Sequence, residues 1–109
     1  MDMVDIEKLA EVSMEIISYA GMAKSKYILA YESLKKGNQH DYEKQRKEAE
    51  ENYIHAHRVH SKVLTTEMET RTPQVSLLMV HAEDQLMSVE TIRFLTTELA
   101  EMMQKLKQA

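Results

Sequence analysis

Few of the 109 side chains could do nucleophilic or metal chemistry. There are five histidines and no cysteine, which removes disulfides, thiolate metal sites and a cysteine nucleophile and suits a reducing cytoplasm. The most informative histidine is His81, three residues before Asp84. On a helix, positions so spaced lie about 5–6 Å apart on one face. Leu77, Leu95 and Met102 share that face, where an unpaired charge is costly. Two roles are open to the pair: a core histidine hydrogen-bonded to an aspartate, or an imidazole nucleophile or ligand oriented by polar neighbours. His55, His57 and His60 resemble a metal cluster only on paper. His55 and His57 point about 200° apart on a helix, and only His57 and His60 share a face, too few for catalytic zinc. These histidines are expected beside the second helix's seam, facing the region of His81, and His40 in an exposed turn.

The elements that must position these groups are helices. Two glycines and one proline in the whole chain leave too few turns for a many-stranded β fold. Apolar groups recur every three or four positions at Ile6, Leu9, Ile16, Ala20, Ala23, Tyr27, Ala30, Tyr31 and Leu34, with Ser13 the polar member of the row. This predicts a helix over 5–36, capped by Asp5 and stopped by Lys35-Lys36-Gly37. A narrower seam of Tyr42, Ala49, Tyr53, Ala56, His60, Val63, Leu64 and Met68 predicts a second helix over 41–68, with the charged stretch 43–52 as its solvated face. Thr72 as cap and Pro73 at the first helical position open a third helix over 73–107. Three helices of about 30 residues, roughly 45 Å each, joined by short turns make an all-α, up-down-up antiparallel bundle, one domain over 1–109. The formal charge of −4, from 14 basic and 18 acidic residues, disfavours nucleic acid and anionic membranes. The five tyrosines have no interleaved basic patch. No stretch approaches the roughly 18 apolar residues of a membrane span, and Met1-Asp2-Met3-Val4-Asp5 does not read as a signal peptide.

The third helix carries two apolar seams where a monomeric bundle needs one. Leu78, Ala82, Val89, Ile92, Leu99, Met103 and Leu106, interrupted by Gln85 and Thr96, suit the intrachain core. The second seam, with Leu77, Leu95, Met102, His81, Asp84, Ser88 and Thr91, is left for another copy of the chain. A homo-oligomer packed through this helix is therefore expected.

The stretch Val75-Ser76-Leu77-Leu78-Met79-Val80-His81-Ala82-Glu83-Asp84-Gln85-Leu86-Met87 resembles the signature of the lactose/cellobiose-type enzyme IIA proteins of the bacterial phosphotransferase system. In that family an apolar run precedes His-Ala-Gln-Asp-His-Leu-Met. Gly21-Met22-Ala23-Lys24-Ser25, Gly37-Asn38 and Ala56-His57 are similar to further family positions, so the resemblance spans nearly the whole chain. It implies a cytoplasmic phosphocarrier that accepts a phosphoryl group from the small carrier HPr on His81, the candidate tele-phosphohistidine. The group then passes to a cysteine of the IIB component, during uptake of a lactose-, cellobiose- or chitobiose-type sugar through a membrane IIC permease that the IIA chain does not itself enter. It also implies a nine-helix homotrimer with a divalent cation, Mg²⁺ or a similar hard ion, held on the axis by Asp84 from each subunit. Such a cation would explain a carboxylate on an apolar seam. Two positions depart from the family: Glu83 replaces Gln and Gln85 replaces His. Glu83 is expected to point away from the phosphoryl site, and His57 or His60 to stand in for the missing histidine.

Two other classes fit parts of the pattern. A two-component histidine-phosphotransfer module is usually a four-helix bundle with lysine and glycine soon after the histidine, and 82–87 offers neither. A structural helical adaptor would use His81 and Asp84 only to set oligomer register. Incubation with phosphoenolpyruvate, the general enzyme and HPr separates it from a phosphocarrier, since only the latter gains mass.

Overall fold

The computed structural model describes residues 5–108 and contains three helices: α1 (Ile6–Lys35), α2 (Gln39–Thr70) and α3 (Leu77–Gln108). Met1 to Val4 and Ala109 lie outside the described residues. The three run up, down and up in a rod of 62 × 20 × 18 Å. No helix among the described residues is long and apolar enough to cross a membrane.

Local chemistry sets the helix ends. The Asp5 side chain accepts from the Lys8 amide, capping α1 as its position predicts. At the other end Gly37 adopts φ 78°, the left-handed conformation only glycine takes without strain. Its amide donates to the Leu34 carbonyl and that of Asn38 to Ser33, the paired bonds of a Schellman stop. Asn38 then caps α2 by accepting from the Asp41 amide, so α2 begins two residues before the expected Asp41. Asp41 itself receives the Ser33 hydroxyl, which ties the turn together and lowers the Asp41 carboxyl below its usual range.

The start of α3 differs more. Arg71 turns left-handed (φ 54°) and ends α2. The linker folds back on that end, the Gln74 amide donating to Glu67 Oε1 and the Gln74 side chain to the Thr72 carbonyl. The helix restarts only where Ser76 Oγ accepts from the Met79 amide. Ser76 is therefore the cap, and the expected Thr72–Pro73 start belongs to a connection that must first cross from α2.

Helix α1 packs along both partners, whereas α2 and α3 barely touch each other. Its buried row is Leu9, Ser13, Ile16, Ala20, Ala23, Tyr27, Ala30 and Leu34, as the spacing predicts except that Ile6 is exposed. Facing it are Ala49, Ala56 and Val63 of α2 and Met79, Ala82, Leu86, Val89 and Ala100 of α3. This alanine-lined contact lets the helices approach closely, and it corrects the predicted seams. Leu64 and Met68 of α2 face solvent, as do Leu99 and Leu106 of α3 (68% exposed for Leu106), while Met79 and Leu86 are core. Ala82 and Val89 of the predicted α3 seam are buried as expected, but toward the C-terminus the seam falls out of phase, because Ala100 rather than Leu99 marks the buried face.

Gly21 sits in the middle of α1, yet a Cβ there would meet nothing within 4 Å. Gly21→Ala should raise helix stability by about 0.5–1 kcal/mol, read as a few degrees' rise in melting temperature. A fall instead would place another chain against this position.

Between α2 and α3 lies a ladder of polar contacts rather than a core. Arg46 Nη1 donates to Thr97 Oγ1 at 2.8 Å. Arg93 forks onto Glu50, Nε to Oε1 at 2.7 Å and Nη2 to Oε2 at 3.1 Å. Tyr53 OH donates to Glu90 Oε1 at 3.2 Å, and His60 Nε2 lies 3.3 Å from Glu83 Oε1. The pairs descend α2 as they climb α3, the register of one antiparallel contact. Glu50 also accepts the buried Tyr27 hydroxyl of α1 at 2.6 Å, so one carboxylate joins all three helices. Part of the charged stretch 43–52 thus turns inward.

Candidate functional site

His81 is the fifth residue of α3, on the flank turned away from the bundle core. It and Asp84 are both exposed, and among the described residues no hydrogen bond or ion pair joins them or engages either one. The core-histidine alternative therefore fails: in the single chain this imidazole is a free group on a surface. Around it runs an unburied apolar stripe. Leu77 is 87% exposed, Met87 66% and Phe94 64%, and Val80, Leu95 and Met102 continue the row. These positions include the predicted second seam and extend it with Val80, Met87 and Phe94. The missing signal was present as helical spacing, but Val80 and Met87 were absorbed into other apolar runs. A stripe this long on a small protein marks a contact surface.

The remaining candidates separate. His55 stacks on Tyr19, ring centroids 3.9 Å apart, and its Nε2 meets Glu15 Oε1 at 3.0 Å. His57 is exposed and rests against Tyr53, centroids 5.9 Å apart. His60 turns to Glu83. Neither His57 nor His60 contacts His81 by hydrogen bond or ion pair, so within one chain neither stands in for the family's histidine. Gln85 is half-buried on the flank between stripe and core, and His40 lies exposed in the first turn of α2 rather than in a turn. Among the described residues of one chain, no three histidine, aspartate or glutamate side chains gather as a metal site. A metal at Asp84 would need carboxylates from other copies.

The Glu50 hub, about three turns further along α3, has its own electrostatics. Burial pushes the Glu50 carboxyl up, but the Arg93 guanidinium and the Tyr27 hydroxyl outweigh it, with Arg46 adding to them, and hold it below the usual range. Burial, followed by the Glu50 carboxylate, raises the Tyr27 phenol.

The model of the family described as "PTS system, Lactose/Cellobiose specific IIA subunit" matches residues 11–104. The chain belongs to that family. Its IIA relatives include the N,N'-diacetylchitobiose-specific EIIA component of Escherichia coli K12, 36% identical over 94% of this chain and 89% of the relative. The lichenan-specific phosphotransferase enzyme IIA component of Bacillus subtilis is 27% identical over 92% and 91%. The lactose-specific EIIA component of Staphylococcus epidermidis is 30% identical over 86% and 90%. The crystal structure of the cellobiose-specific enzyme IIA from Bacillus anthracis shares the fold, with a TM-score of 0.82 at 24% identity and 90% coverage of each chain. The sequence resemblance thus identified the family correctly, and the IIA domain fills nearly the whole chain.

Proposed function

We propose that this IIA chain is a phosphocarrier of a sugar phosphotransferase system in the cytoplasm, and that His81 carries the phosphoryl group. The observation that carries the reading is a free, exposed imidazole on the uncovered apolar stripe of α3. A neutral imidazole nitrogen attacks the phosphorus of phospho-HPr. The bond from phosphorus to HPr breaks as the bond to His81 forms, and no proton need be removed from the attacking nitrogen. The IIB cysteine thiolate then attacks the same phosphorus and the imidazole leaves with its electron pair. Positioning does most of the work in such transfers. The leucine and methionine surroundings dock both partners and keep water from the phosphohistidine. The relatives' chitobiose, lichenan and lactose specificities support a β-linked or lactose-type sugar for the pathway, which the IIA chain itself need not touch.

The stripe supports assembly as a homotrimer, α3 against α3. Asp84 tests whether a cation suits that arrangement. It lies within the stripe with no cationic partner in its own chain, so covering the stripe would bury an uncompensated charge. Three such carboxylates make an all-oxygen donor set suited to Mg²⁺, and the ion would supply charge neutralisation. Wild-type protein is then trimeric by light scattering and loosens with chelator, whereas Asp84→Leu stays trimeric regardless of chelator. Monomeric wild-type protein at micromolar concentration would end the trimer reading.

The phosphocarrier reading is tested by intact mass. Incubation with phosphoenolpyruvate, the general enzyme and HPr should add one phosphate, removed again by IIB, and an unchanged mass rejects the role.

A further inference from the structure

We infer that His60 is a positioning residue that holds the Glu83 carboxylate on the α2 side of α3, clear of the His81 imidazole. Three observations carry this. Glu83 is only two residues from His81, with Asp84 next to it, so this turn of α3 carries two carboxylates beside an imidazole proposed to receive a phosphoryl dianion. The two positions diverge by about 200° around the helix, but a glutamate chain is long enough to swing part of that arc. Glu83 is instead drawn toward α2, where His60 Nε2 lies 3.3 Å from its Oε1. That nitrogen is enclosed and has no hydrogen-bond partner, and the Glu83 carboxylate at 3.3 Å is the polar group closest to satisfying it. The contact is also the final rung of the polar ladder at the His81 end of α3, in register with Tyr53–Glu90 and Glu50–Arg93. The two helices scarcely meet otherwise, so no apolar packing would restrain Glu83 if His60 were lost.

The consequence is electrostatic. A released Glu83 adds a mobile negative charge on the approach path of a negatively charged donor site, which slows encounter and does so most at low salt. The inference rests on His81 being the acceptor, and the experiment separates the two. The second-order rate of labelling by phospho-HPr is measured at about 0.05 and 0.5 M salt for wild type, His60→Leu, His60→Leu/Glu83→Gln and His60→Gln. His60→Leu should be about three- to fivefold slower at low salt, with the ratio to wild type closing at high salt. The double variant should recover the rate, because the charge is gone. His60→Gln, whose amide can still donate to Glu83, should recover most of it. A His60→Leu rate equal to wild type, or a double variant as slow as His60→Leu at both salts, overturns the inference, since the second result describes a packing defect. If wild-type His81 takes no phosphoryl group, the phosphocarrier reading fails on its own. The pair is then judged by the His81 imidazole resonances in two-dimensional spectra. They should shift in His60→Leu and return in the double variant, and resonances unmoved in His60→Leu refute the positioning role.

Discussion

His81→Gln takes up no phosphoryl group from phospho-HPr and melts at the wild-type temperature. The loss should exceed about a thousandfold, because removing a nucleophile leaves only the positioning of donor and acceptor. Stability should stay within about 0.5 kcal/mol, as for surface positions generally, since the imidazole is exposed and makes no hydrogen bond or ion pair in its chain. The glutamine amide keeps the polarity of the site and removes the attacking nitrogen. Labelling that persists in this variant assigns the phosphoryl group elsewhere. Digestion would find it among the other histidines, of which His57 is the exposed member of the Ala56-His57 pair.

Glu50→Ala should lower stability more than any surface change, by about 2–3 kcal/mol and so by some 10–20 °C in melting temperature. Three partners lose their acceptor together: the Tyr27 hydroxyl, the Arg93 fork and Arg46, whose Nη2 lies 3.8 Å from Glu50 Oε1. Tyr27 is almost wholly buried, so its hydroxyl would be left without water to replace the bond. Acid should act through the same group. The folded state holds the Glu50 carboxyl below its ordinary range, so its stabilisation is complete above the unfolded value, near pH 4–5. It is lost as the pH falls through the lower folded value. Glu50→Gln should flatten that part of the stability–pH curve, and a curve as steep as wild type would assign acid sensitivity to other carboxylates.

How much of this was legible in the sequence depended on how local the cause was. Asp5, Gly37 and the buried row of α1 were readable because each is fixed by bonds within five residues. His81 and Asp84 were placed on one face by helical spacing alone. Ser76 was missed as the cap of α3 because Thr72 and Pro73 offer an equally good local start, and only the distance from α2 to α3 decides between them. Leu86 was not legible as core because the alanines of α1 and α2 bring the backbones close, a property of facing helices rather than of α3. The inward turn of Glu50 and the reach of His60 to Glu83 were unreadable for the same reason, since each needs the register between two helices. The family signature carried what spacing could not: it singled out His81 among five histidines.

The polar ladder gives the bundle an uneven resistance to opening. Parting α1 from either neighbour exposes alanine, leucine and isoleucine surface that water does not reward. Parting α2 from α3 breaks contacts that water can replace nearly one for one. The molecule should therefore open like a book with α1 as its spine. Amide hydrogens facing that gap would exchange before those along α1.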